Sequence, residues 1–183
     1  DRFVVLKIIN NHNNTETTRR ESIQTAQRIK DAIFNERKFQ SSVGIGEFHQ
    51  EITGIVRSYQ EACRALEIGN MVNSGLGIHH INFLGISRLL VEISPETRND
   101  FLNYVFYRNS KKQDIKPVYI KTLFAFFEHH LNITETAKAI FIHRNTLLYR
   151  LERIENLTGL NPRKFDQALQ LYVALKIKNL QKV

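Results

Sequence analysis

A chain of 183 residues, 42% of them apolar, 24% charged and only three proline, has the composition of a folded protein with one large or two small cores, which excludes a disordered or fibrous chain. Its apolar runs are short and broken by Lys, Glu or His, far below the roughly 20 residues that cross a bilayer, so a soluble protein with no membrane partner is expected. One cysteine, Cys63, excludes an internal disulfide framework and makes the cytoplasm the expected compartment, and the formal charge of +8 is concentrated: residues 1–110 carry 13 Lys/Arg against 12 Asp/Glu, residues 111–183 carry 13 against 6.

In chain order, FVVLKII at 3–9 is β-branched and nearly continuous in apolar character, which predicts a strand covered on both faces. The polar run at 10–20 reads as a loop. Ile23, Ala26, Ile29, Ile33 and Phe34 then recur at helical spacing, predicting an amphipathic helix over 18–37. SSVGIGEF at 41–48 alternates Val43 and Ile45 around two glycines, as expected of a strand that another segment approaches closely. GIG lacks the longer glycine spacing and the lysine of a phosphate-binding loop. Ser58 with Glu61 forms a capping-box pattern, followed by Tyr59, Ala62, Cys63 and Leu66 on one helical face and by Gly69 or Asn70 as a stop. Cys63 there is a small core residue rather than a nucleophile. A third strand is expected over 77–83 and a short helix in ISRLLVEI.

From Ser94 the pattern becomes helical throughout. Ser94 as N-cap and Pro95 as first residue open a helix through Phe101, Leu102, Val105 and Phe106, which the polar run 108–114 ends. Pro117 opens another, carrying Val118, Ile120, Leu123, Phe124 and Phe127. Residues 1–93 are therefore expected to form a mixed α/β domain, 94–114 a helical linker, and 115–183 an all-α domain, an α+β chain as a whole.

The informative segment is HHLNITETAKAIFIHRNTLLYRLERIENLTGLNPRKF at 129–165. Asn132 and Glu135 stand in capping-box relation, and Ile133, Ala137 and Ile140 share a face of a short helix. After a connection at 141–143, Leu147, Leu151 and Ile154 form the apolar stripe of a second. Two short helices joined by a tight turn make a helix-turn-helix, here between about Asn132 and Leu157. At 100° per residue Asn145, Tyr149, Glu152 and Arg153 lie opposite the stripe, Thr146 and Arg150 flank it, and Arg144 falls in the first turn. Arg can bond guanine bidentately, Asn can bond adenine, and Thr or Tyr can reach phosphate or a thymine methyl. Lys138 and Arg153 suit phosphates. The alternative is a helical hairpin with a solvated charged face; the basic C-terminal charge favours double-stranded DNA as partner. Asn161 as N-cap, Pro162 as first residue and a Leu160–Phe165 staple predict a final helix bearing Leu169, Tyr172, Val173 and Leu175.

FEHHLNITETAKAIFIHRNTLLYRLERIENLTGL closely resembles the C-terminal helix-turn-helix of the PucR/CdaR family of bacterial regulators, with its HRNT-L-YRL-RIE-LTGL core. Upstream, VGIGEF and SYQEACRALEIG resemble the same family's degenerate GGDEF-like domain. The resemblance implies a sequence-specific transcription regulator: a GGDEF-like α/β domain, incomplete at its N-terminus, before an all-α helix-turn-helix domain. It implies DNA contacts at Arg144, Asn145, Thr146, Tyr149 and Arg150. It also implies a small-molecule effector bound by an N-terminal sensory module outside this chain, whose abrupt opening suggests a fragment of a longer regulator. A homodimer is expected, because one recognition helix reads only a few base pairs. The rival is a nucleotide-binding or cyclic-dinucleotide-sensing module with a helical interaction domain. Asp1-Arg2-Phe3 falls where the GGDEF motif would end, placing Arg2 at its glutamate, and an arginine cannot hold a divalent cation. No catalysis, cofactor or metal is expected. The His79-His80 and His129-His130 pairs lack a Cys or acidic partner at ligand spacing.

Overall fold

The computed structural model describes residues 2–9, 14–72, 76–107 and 115–181, which divide into two units, one ending at Arg88 and the other spanning Leu89–Gln181. The expected terminal run at 108–114 and the acidic position at Asp1 lie outside the described residues.

In the first unit, α1 (Thr15–Arg37) is capped by Asn14, whose side chain accepts from the N–H groups of Glu16 and Thr17. The helix therefore begins inside the run expected to be a loop. β1 (Val43–Ile45) and β2 (Ile78–His80) pair in parallel, Gly44 opposite His79, and α2 (Thr53–Val72) makes the crossover that parallel strands require. A single turn of 3-10 helix follows at Ile81–Phe83, so the third expected strand is only three residues long. The glycines serve close packing: a methyl at Gly44 would overlap the Ala62 carbonyl, and one at Gly46 the Ser58 carbonyl.

Two expectations fail here. Residues 3–8 form no strand, and Phe3, Val4, Val5, Leu6 and Ile8 are all exposed. An apolar run becomes a strand only beside a partner, and the sheet found among the described residues contains β1 and β2 alone. Ser58 does not cap α2, which starts five residues earlier. The Glu61 carboxylate instead accepts from the Glu47 N–H at 2.9 Å and meets His49 Nε2 at 3.1 Å and Arg57 at 3.4 Å. Glu47 in turn accepts from Arg19, with Nη2 at 2.9 Å, and from the Asn82 side chain. The helix is phased so that Gly54, Ala65, Ile68 and Gly69 are its buried residues, while Tyr59 is exposed.

His79 and His80 are buried. Burial pushes the His79 imidazole below its ordinary value, with the Lys30 charge adding to the effect; burial also dominates at His80, against the opposing Glu47 carboxylate. His80 Nδ1 accepts from the Asn82 N–H, and among the described residues His79 Nε2 has no hydrogen-bond partner. Burial thus biases both rings toward the neutral form. A base depressed on folding contributes stability that is complete above its unfolded value, about 6.5, and is lost as pH falls below it. At Glu61 burial acts to raise the carboxyl, but the Glu47 N–H and the His49 and Arg57 charges outweigh it and hold it below the usual value, so its contribution is lost at still lower pH. The urea midpoint of this unit, followed by hydrogen exchange in α2, is expected to fall between pH 7.5 and 5.5; an unchanged midpoint would refute the neutral assignment.

Among the described residues, the second unit holds helices and no strand. The short α3 (Ser87–Leu90) crosses the boundary, and α4 (Pro95–Tyr107), α5 (Pro117–Glu128), α6 (Ile133–Ala139), α7 (Arg144–Thr158) and α8 (Phe165–Leu180) follow. Ser94 Oγ accepts from the Thr97 N–H, as its N-cap role requires. Leu102, Val105 and Phe106 of α4, Leu123 and Phe126 of α5, and Leu171, Ala174, Leu175 and Ile177 of α8 are buried, with α8 packed on α4 and α5 and α7 on α4, α5 and α6.

The expected start of α8 is displaced. Asn161 caps a turn, its side chain accepting from the Arg163 N–H, and its own N–H donates to Gln167, so the helix begins at Phe165 beyond Lys164. The staple is absent, because Phe165 is exposed; Leu169 is exposed too, and α8 covers the core with the face of Leu171 and Leu175.

Candidate nucleic-acid interface

α6 and α7 are positioned by local chemistry at each end. Asn132 Oδ1 accepts from the Glu135 N–H at 3.1 Å, and Thr136 Oγ1 donates to the Asn132 carbonyl, starting α6. Lys138 extends outward and meets Glu135 at 3.2 Å. The helix closes on Ile140, after which Phe141 takes the left-handed conformation. α7 is capped by His143, whose Nδ1 accepts from the Asn145 N–H at 3.3 Å, and it ends on Gly159 at φ 72°. Its buried residues, Leu147, Leu151, Ile154 and Thr158, repeat at four, three and four and press the helix onto α5 and α6.

That seating exposes the opposite face. Arg144, Asn145, Thr146, Tyr149, Glu152 and Arg153 are exposed, so the face drawn from 100° per residue is the solvent face of α7. Arg150 differs from the other named residues: it is half-buried, and its Nη1 donates to Thr122 Oγ1 of α5 at 3.3 Å, which ties the middle of α7 to its neighbour. Lys138 stands on α6, apart from the α7 set. Apart from the Glu152 carboxylate, which only accepts, the exposed groups of α7 are guanidinium, amide, hydroxyl and phenol, able to donate to phosphate oxygens and to pair with base edges.

Two features escaped the sequence. His143 is an unusual N-cap with no compositional signal, and its capping role needs Nδ1 unprotonated. His143→Ala is expected to cost about 1 kcal/mol of stability and His143→Asn to restore it, read from urea denaturation; equal midpoints for parent and His143→Ala would remove the cap from the account. The second is Phe141, expected only as part of the connection at 141–143 and found left-handed and exposed. Among the described residues no group of three or more His, Cys, Asp or Glu is placed to hold a metal, and no helix is long and apolar enough to cross a membrane.

Residues 119–177 match the model of the PucR C-terminal helix-turn-helix domain, and residues 1–68 match that of the GGDEF-like domain. The chain is 30% identical over 139 residues to the purine catabolism regulatory protein of Bacillus subtilis, covering 76% of this chain and 26% of that protein. It is 33% identical over 162 residues to the carbohydrate diacid regulator of Escherichia coli, covering 88% and 41%. The proline-responsive transcriptional activator PutR of Bacillus subtilis is 28% identical over 140 residues, covering 74% and 34%. The chain thus spans well under half the length of these relatives.

Proposed function

Because the chain belongs to the PucR/CdaR family of bacterial transcription regulators, we propose that it binds promoter DNA through α6 and α7, in the cytoplasm and as a homodimer. The observation that carries this is the exposed face of α7. Arg144, Asn145, Thr146, Tyr149 and Arg153 stand free of the core while Leu147, Leu151 and Ile154 hold the helix rigidly beneath them. Arg144 and Asn145 take the base edges at the first turn, Thr146 and Tyr149 the groove wall, and Lys138 and Arg153 the phosphates. Arg150 contributes from the flank, where its bond to Thr122 fixes its direction. The net of +7 over residues 111–183 supplies the counterion-release contribution that draws such a surface to a duplex.

Recognition of a small-molecule effector is assigned to a further module outside these residues, in keeping with the greater length of the relatives. The first unit is assigned to packing or self-association without catalysis, since the resemblance places Arg2 at the glutamate of the GGDEF motif and an arginine cannot hold a divalent cation. Incubation with GTP and magnesium is expected to yield no cyclic dinucleotide, and product formed by purified protein would overturn that assignment.

The test of the DNA role is selection from a random duplex pool with the whole chain. Enrichment of one motif, repeated as two half-sites, is expected. A pool that stays random would defeat the specific-binding role, and a single half-site bound by a monomer in sedimentation would defeat the dimer.

A further inference from the structure

The turn between α6 and α7 holds a residue whose conformation the fold does not reward. α6 closes in a Schellman arrangement: the Phe141 N–H donates to the Lys138 carbonyl at 3.1 Å and the Ile142 N–H to the Ala137 carbonyl at 3.0 Å. The residue at the first of these bonds must be left-handed, and glycine is the usual occupant. Phe141 takes it at φ 54° with its side chain 95% exposed, the most exposed large apolar side chain among the described residues. A phenylalanine there carries the steric cost of left-handed backbone and leaves its ring in water, with no buried contact in return.

Its surroundings identify what could cover it. Lys138, His143, Arg144 and Asn145 lie within four residues on either side and all are exposed. An apolar protein partner would be met by cations and amides around a single ring. A duplex offers phosphates to those groups and, between them, small apolar surfaces matched to one aromatic ring. We propose that Phe141 is an apolar DNA contact, its ring resting on a thymine methyl or a deoxyribose face at the margin of the groove that α7 enters. The left-handed turn aims the ring away from the core and toward the duplex. This inference rests on the DNA-binding role proposed for α6 and α7.

Phe141→Gly removes the ring and relieves the backbone together. With the whole chain and the duplex recovered by selection, its urea midpoint is expected to equal or exceed that of the parent, while affinity falls about five-fold or more. Phe141→Tyr should bind like the parent. Uracil in place of thymine separates the two sources: a methyl contact makes the parent lose affinity on uracil while Phe141→Gly loses nothing further, and a deoxyribose contact leaves the Phe141→Gly deficit unchanged on either duplex. A folded Phe141→Gly chain that binds as tightly as the parent overturns the inference. So does a change of sedimentation behaviour without DNA, which would place the ring against a second copy. If the parent itself retains no duplex, the DNA role fails first and this contact with it.

Discussion

Phe126→Ala is expected to remove about 3–5 kcal/mol from the stability of the second unit, a large share of what a domain of this size possesses. The ring is 1% exposed. It sits on α5, the helix that packs against α6, α7 and α8, so no single neighbour can move to refill the space. Urea denaturation with hydrogen exchange in α8 would measure the loss, and a change below about 1 kcal/mol would mean that the core closes over the gap. The functional consequence follows from the same packing. α7 is seated by Leu147, Leu151 and Ile154, and loosening α5 beneath it would blur the spacing of the exposed residues above; DNA binding should then be lost in proportion to unfolding.

Arg144→Ala and Asn145→Ala are expected to act in the opposite manner, leaving stability nearly unchanged while each costs about 1–3 kcal/mol of affinity for the selected duplex and relaxes preference at particular base pairs. Both side chains are exposed. Lys138→Ala and Arg153→Ala should instead weaken binding to every duplex and lower the salt slope by roughly one. Titrations at several salt concentrations, on selected and scrambled duplexes, separate the two patterns. Folded Arg144→Ala and Asn145→Ala chains that bind the selected duplex as tightly as the parent would remove α7 from the recognition role.

The elements legible in the sequence are those determined within one or two helical turns. The Asn132 cap, the stripe of Leu147, Leu151 and Ile154, and the Ser94 start of α4 each depend on residues three to seven positions apart, and each is found as expected. The solvent face of α7 follows directly from its stripe, because a helix buried on one side must expose the other. Tertiary contacts decided the rest. The β-branched run at 3–9 has strand character, but pairing is a property of two segments, and it finds no partner among the described residues. The Ser58–Glu61 pattern is a valid cap on paper, yet the Glu61 carboxylate is engaged by Glu47 and His49, which lie 14 and 12 positions away. Asn161 and Pro162 carry helix-start chemistry, but the bond to Gln167 draws them into a turn. Arg150 flanks the α7 surface by its spacing, and only the approach of Thr122, 28 positions earlier, ties it back to α5. Local spacing therefore determined which helices form and which face of α7 is exposed; long-range partners decided where several elements begin and which polar side chains remain free to meet a ligand.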